Sequence, residues 1–518
     1  MSPTTPTHPG VVDATAPARR VLTDAWRSCI GTGRTREVLH ADYRDSLRVA
    51  QQEIGFRYAR AHGILHDDMG VVTRYDRDGR SGLHLSFGYV DQVIDTWLDA
   101  GVRPFLELGF MPHALASGPD TVFWWRGNIT PPREESEWVE LVQGLLRHLV
   151  ARYGIDEVRT WPVEVWNEPN LSVFWKDADE AAYHRLYEIT ARAVKDVDAD
   201  LPVGGPAISP GSDEWLPRFA EMVAARDVPC DFVSKHAYTS GPAEHLPVWG
   251  VNQTLRAPEH LLEQFATPRD LLAGTALAGL PLHITEFSSS YRPDNAIHDT
   301  AYQAAYLAPV LLRGDAHAAS FSYWTLCDVF EEVGIPTSIL HGGFGLLGHR
   351  QLRKPVFHLY AFLARLGADV LAEGPDHVVT RRPDGSLAIL AWQPQDGVTW
   401  HTGGHRVRLA LTGLPGRVSL VERHVDDERG NVRAAWRALG SPPEPTPAQL
   451  DDLHALAEPV LTSRGVTTAG GALDLDLAVG AHGIALVEVA AAPDLRLPWD
   501  DDARLLGGAG DAGEVAGS

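Results

Sequence analysis

The run Glu164-Val-Trp-Asn-Glu-Pro-Asn170 decides how this chain is read. It closes a short apolar stretch that begins at Trp161, and Glu168 stands where a buried strand would give way to a turn. A second run, His283-Ile-Thr-Glu-Phe287, has the same form, with Glu286 ending an apolar stretch that starts at Leu282. A carboxylate just past a buried parallel strand is where a parallel α/β barrel presents reactive groups to a ligand. Two of them point to a paired-carboxylate hydrolase.

Working outward, short apolar runs alternate with helical patterns from Trp26 to about Leu366, as repeated βα units do. Strands are predicted near Trp26–Gly31, Phe56–His62, Arg103–Gly109, Trp161–Trp166, Pro202–Gly205, Phe232–His236, Leu282–Glu286 and Ala319–Trp324. The clearest helix follows the fourth, where Tyr183, Leu186, Tyr187, Thr190, Val194 and Val197 share one face. Eight such units predict a closed (β/α)8 barrel, whose usual size of about 250 residues or more fits easily in this chain.

Past Gly367 the period changes to two. Val407, Leu409 and Leu411 alternate with more polar neighbours, as do Leu473, Leu475 and Leu477, which predicts half-buried strands of a β-sandwich. Pro383-Asp384-Gly385 reads as a turn, and Ser441–Pro447, with four prolines, as a loop. The expected division is a mobile segment over 1–18, the barrel over 19–366, the sandwich over 367–499 and a disordered Gly/Ala/Asp tail over 500–518.

A formal net charge of −23 argues against nucleic acid, which requires clustered Lys and Arg, and favours a neutral ligand. No basic, apolar leader and no bilayer-length apolar run is seen, so a cytoplasmic protein without membrane contact is expected. Cys29, Cys230 and Cys327 are scattered and odd in number, and the 23 histidines show no zinc spacing. No metal or cofactor is called for. The Gly-rich run His341-Gly-Gly-Phe-Gly345 lacks the Lys-Ser/Thr ending of a phosphate loop.

On such a barrel the ends of strands four and seven open into one mouth, so Glu168 and Glu286 can approach. Acetal hydrolysis needs that pair: one carboxyl protonates the departing oxygen while the other attacks the anomeric carbon or activates water. A solvated rim carboxylate is the plain alternative for either residue.

Arg60-Ala-His-Gly-Ile64, Gly109-Phe-Met-Pro112, Trp166-Asn-Glu-Pro-Asn170, His236-Ala-Tyr238, Thr285-Glu-Phe287, Ser322-Tyr-Trp-Thr325 with Asp328-Val-Phe-Glu-Glu332, and His341–Gly345 occur in this order. Across almost the whole chain they resemble family 39 of the glycoside hydrolases, which contains bacterial β-xylosidases and α-L-iduronidases. The resemblance implies a retaining mechanism with Glu168 as acid/base and Glu286 as nucleophile. It further implies sugar contacts from Asn167, His62 and His236, a Tyr238 that orients Glu286, an apolar floor at Trp324 with a side wall at Trp124, and a grip on the terminal sugar by Glu331 and Glu332.

The expected activity is exo-acting release of D-xylose from β-xylosides and short xylo-oligosaccharides, with a homotetramer implied by the resemblance. The rivals are a β-glucosidase, an α-L-iduronidase-like enzyme, and a non-catalytic carbohydrate-binding barrel.

Overall fold

The computed structural model describes residues 10–246, 250–330, 332, 334, 336–493 and 495. The tail expected over 500–518 lies outside the described residues, as does Glu331.

Eight strands close into a barrel: β1 (Cys29–Arg34), β2 (Tyr58–His62), β3 (Arg103–Leu108), β4 (Val163–Val165), β5 (Val203–Ile208), β6 (Phe232–Tyr238), β7 (Leu282–Ser288) and β8 (Ser320–Tyr323). Each pairs in parallel with its chain neighbours, and β8 closes onto β1. All eight fall on the predicted runs. Strands covered on both faces must be apolar nearly throughout, and β1, β5 and β6 are buried at every position. The helix Glu180–Val197 buries Tyr183, Leu186, Tyr187, Thr190 and Val194, and the Asp179 side chain caps its start by accepting from Ala182 N at 3.0 Å.

The second domain is a sandwich. Its larger sheet runs in the order Arg20–Val21, β9 (Asp369–Glu373), β10 (His377–Arg381), β11 (Leu387–Trp392), then Ile484–Ala491, Arg417–Val425 and Val460–Thr467. In the smaller sheet His405–Thr412 is central, pairing on one side with Gly10–Asp13 and on the other with Leu473–Val479. Alternation along the larger sheet serves two cores. Val378, Leu390 and Leu486 join the core of the barrel, while Val379, Ile389 and Val487 face the smaller sheet. One sheet therefore glues the two domains together.

Two expectations are corrected. Residues 1–18 are not wholly a mobile segment, because Gly10–Asp13 is a strand and Val12 and Ala14 are buried in the sandwich core. The described residues begin in the sandwich at Gly10 and reach the first barrel strand only at Cys29, not at residue 19; a four-residue strand among prolines and threonines carries too short a period to be read. Likewise, two helices, Val432–Ala438 and Pro447–Ala457, interrupt the sandwich on either side of the Pro-rich loop, the second started by a Thr446–Gln449 capping box. Among the described residues no helix is long and apolar enough to cross a membrane.

Candidate active site

Glu286 lies on β7 and Glu168 three residues past β4, so both stand at the C-terminal mouth of the barrel. Trp166 and Glu168 adopt left-handed backbone at φ 72° and 44°, the tight turn that swings Asn167 and Glu168 inward ahead of Pro169. Glu168 N donates to Ala207 O on β5 at 3.0 Å, fixing that turn to the next strand.

The two carboxyl groups meet across the mouth. A carboxylate oxygen of each, together with a His236 ring nitrogen, lie within 4.8 Å of one another. Glu286 accepts from Arg60 Nη1 at Oε1 and from Tyr238 Oη at Oε2, each at 2.8 Å. His62 Nε2 stands 3.3 Å from the same Oε1. Glu168 Oε1 lies 2.9 Å from His236 Nδ1.

Below the pair, Arg60 has no exposed surface and faces three carboxylates at once: Glu164 at 2.5 Å, Glu107 at 3.0 Å and Glu286. Its Nη2 also donates to Asn167 Oδ1 at 2.9 Å. One cation among so many acids leaves the site negative. Burial, then the neighbouring charges of Glu286 and Glu332, hold the Glu168 carboxyl well above the ordinary carboxylate range. Burial pushes Glu332 up to about 8. For His62 burial opposes the charge, but the Glu107 carboxylate, 2.5 Å from Nδ1, outweighs it and raises the imidazole's pKa. His236 goes the opposite way: burial, then Arg60 and His62, keep it neutral.

A cavity of about 470 Å³ opens over the pair, lined on its polar side by His62, Asn167, Tyr238 and Glu332, with Trp324 beneath. Two other depressions, one lined by Leu272 and Leu282 and a larger one between Asp42 and Glu444, touch neither carboxyl.

Two site expectations are corrected. Trp124 is 52% exposed and does not line the cavity. It sits at the tip of a small hairpin, between Thr121–Val122 and Gly127–Asn128, where alternation turns Phe123 and Trp125 inward, stacked at 5.0 Å, and Trp124 outward. Phe123 is the residue that reaches the cavity. His236 is fully buried behind the two glutamates and does not line the cavity either; its Nδ1 stands 2.9 Å from Glu168 and 3.5 Å from Glu286.

Sequence reasoning left out Arg60, Glu107 and Glu164 as site residues. Their signal was charge inside apolar strands: Arg60 shares the inward parity of His62, and Glu164 lies between Val163 and Val165. A buried charge needs partners, and these residues are each other's.

The family model described as glycosyl hydrolases family 39 matches residues 11–474. This chain belongs to that family. It is similar to a β-xylosidase from Geobacillus stearothermophilus, 42% identical over 486 residues that cover 92% of this chain and 95% of that protein. The α-L-iduronidase of Homo sapiens is 26% identical over 489 residues, 85% of this chain and 71% of that protein. Among solved structures, a monomeric β-xylosidase from Caulobacter crescentus superposes with a TM-score of 0.86 at 34% identity, covering 93% of this chain and all of that one. Membership of family 39 makes the chain a glycoside hydrolase. The tetramer implied by the resemblance finds no support in that monomeric relative.

Proposed function

We propose that this family 39 enzyme is a retaining, exo-acting β-xylosidase that releases D-xylose from the non-reducing end of β-xylosides and short xylo-oligosaccharides. The observation that carries the reading is the approach of Glu168 and Glu286 oxygens to within 4.8 Å. Retaining enzymes keep their two carboxyls about 5–5.5 Å apart, whereas inverting enzymes leave about 6.5–9.5 Å for a water.

Double displacement follows from the environments. Glu286 attacks the anomeric carbon while Glu168, held protonated by burial and by its acidic neighbours, gives its proton to the departing oxygen. The Glu286 ester is neutral, so one of the charges that raised the Glu168 pKa disappears. Glu168 then takes a proton from water, which attacks the anomeric carbon and frees xylose with its configuration kept. Side chains alone carry both steps, without metal or cofactor.

Asn167 Oδ1 is occupied by Arg60, which leaves its amide N–H groups for the sugar 2-hydroxyl. Tyr238 and Arg60 hold Glu286 in line, and Trp324 offers a ring face beneath the sugar. His62 and Glu332 are assigned to the remaining hydroxyls. The setting proposed is cytoplasmic use of short products of xylan degradation, which suits a cavity that admits a chain end.

Arg292 bears on the iduronidase rival. It lines the cavity, but its Nε and Nη2 pair with Asp294 at 3.0 and 3.1 Å, so a substrate carboxylate would meet a neutralised cation beside Glu332. A panel of nitrophenyl glycosides tests the sugar, with β-D-xyloside expected to exceed β-D-glucoside in kcat/KM; binding of xylobiose without turnover would favour a non-catalytic barrel. For the roles, Glu286→Gln is expected to abolish turnover. Glu168→Ala is expected to regain activity with added azide on a substrate with a good leaving group, giving the β-glycosyl azide. Appreciable turnover by the first variant, or no rescue of the second, overturns the assignment.

A further inference from the structure

The cavity is larger than one pentose needs. Its volume of about 470 Å³ equals that of roughly fifteen waters at liquid density, against the five carbons and five oxygens of xylose. What lines the remainder differs by strand. On the β8 side stand Trp324, Glu332 and Phe344. On the β4 side the described lining residues are Leu171, Val173 and Phe174, which follow Glu168, and Phe123 from the preceding hairpin.

A general acid stands beside the oxygen that departs, so the wall built on its own loop faces the leaving group. That wall is stiff. Leu171 N donates to Glu168 O at 3.0 Å and Phe174 N to Leu171 O at 2.9 Å, while Phe174 O accepts from Trp166 Nε1 at 2.9 Å. The Phe174 ring sits 5.5 Å from that of Phe123. Nearby polar groups are engaged with each other: Asn170 Nδ2 donates to Ser209 Oγ at 2.7 Å, and Ser209 N to Asn170 Oδ1 at 2.9 Å. Val173 is 50% exposed, apolar surface left open at the rim of the cavity.

Against these four side chains a second xylose would find few partners for its hydroxyls, which costs free energy wherever they lose water, while the polar Ser240, Tyr291 and Arg292 line the cavity on the β6 and β7 sides. A hydrocarbon group loses nothing and covers exposed apolar area. We propose that Leu171, Val173, Phe174 and Phe123 form a receptor for an apolar aglycone, an aryl or medium-chain alkyl group, and that the enzyme prefers such β-xylosides to xylobiose. This inference rests on the assignment of Glu168 as acid/base and deepens the β-xylosidase reading by naming what leaves.

The test compares kcat/KM for hexyl β-D-xyloside, methyl β-D-xyloside and xylobiose with the full-length enzyme. Hexanol and methanol are of similar acidity, so the hexyl-to-methyl ratio reports contacts and not leaving-group chemistry. The ratio is expected to exceed about 10, with hexyl xyloside above xylobiose. It should fall about tenfold in Leu171→Ser, fall by a smaller factor in Val173→Ser, whose half-exposed position spares the fold, and rise in Val173→Ile. A ratio near one, xylobiose as the best substrate, or a ratio indifferent to all three variants overturns the proposal. If xylosides are not cleaved but glucosides are, the sugar assignment fails separately, and the same ratio on hexyl and methyl β-D-glucoside still decides the aglycone receptor.

Discussion

Arg60 Nη1 lies 2.8 Å from Glu286 Oε1, reaching the carboxylate from a side chain that has no contact with solvent. The same guanidinium holds Glu107, Glu164 and Asn167, so its planar fork sets the position of one catalytic candidate while compensating two further buried charges. Arg60→Lys keeps the charge and loses the fork. A misplacement of about 1 Å at such a centre costs about 100-fold, and kcat/KM is expected to fall by that order. Arg60→Met strands the carboxylates without a cation, at an expected cost of about 3–5 kcal/mol in urea unfolding. The cost should shrink at low pH, where the carboxylates protonate; an undiminished unfolding midpoint at pH 7 would contradict this account.

Glu168 and Glu332 tie activity and stability to pH. Because Glu168 must be protonated to act and its pKa is held well above the ordinary carboxylate range, the alkaline limb of kcat/KM should lie above where an unperturbed glutamate has already ionised. Glu332→Gln removes a negative neighbour, makes ionisation of Glu168 easier and moves the limb to lower pH. Since Glu332 itself ionises near pH 8, the two profiles should diverge in the upper part of the limb. For stability, the folded state favours neutral Glu332, with a pKa raised from 4.5 to about 8. That contribution is complete below about pH 4.5 and is lost as pH rises toward 8, because there the folded state binds more protons than the unfolded one. Urea midpoints between pH 5 and 8 should therefore decline less steeply in Glu332→Gln.

The barrel was legible because each strand is buried on both faces and ends at a change of period, a signal that Leu282 to Glu286 carries in five residues. Glu168 and Glu286 were legible for the same reason, since strand ends can be located from sequence. Contacts between strands could not be read that way. Arg60, Glu107 and Glu164 sit on three neighbouring strands, and only the pairing and register of β2, β3 and β4 bring them together. Trp124 and Phe123 show the limit in another form: adjacent residues in a hairpin point to opposite sides, and which one faces inward depends on the turn, with Phe123 at φ 62° and Arg126 at φ 59°. His236 was assigned to the end of strand six, but the strand runs on to Tyr238 and places His236 inside it, in the layer behind the carboxyls.

Trp124 makes that limit testable. An exposed tip residue that touches no cavity should be dispensable, so Trp124→Ala is expected to change stability by less than about 0.5 kcal/mol and to leave kcat/KM for nitrophenyl xyloside within about twofold. Trp125→Ala should behave otherwise. Its ring stacks on Phe123, meets Phe110 edge-on at 5.5 Å and lies 4.8 Å from His66, so its loss opens a cavity behind the site wall at an expected cost of about 3–5 kcal/mol. Kinetics and urea unfolding of the two variants side by side check the assignment; a larger effect at Trp124 than at Trp125 would reverse it.

The Gly-rich run also acquires a role, in packing instead of phosphate binding. Lys354 is fully buried and reaches Asp328 at 2.6 Å, Asp299 at 2.7 Å and the Gly343 carbonyl at 2.8 Å. Those same aspartates accept from Gly345 N and Gly342 N, each at 2.7 Å, so one ion-pair network clamps the segment that carries Phe344 to the cavity wall. A Cβ on Gly343 would stand 2.4 Å from Asp328 Oδ1, closer than real atoms approach. Gly343→Ala must therefore displace Asp328 from Lys354, at an expected cost of about 1–3 kcal/mol, with a rise in KM as Phe344 shifts. Lys354→Met, which leaves both aspartates buried without a cation, should cost more, about 3–5 kcal/mol. Urea unfolding and xyloside kinetics measure both. If Gly343→Ala unfolds like the wild type, close packing is not what requires glycine there.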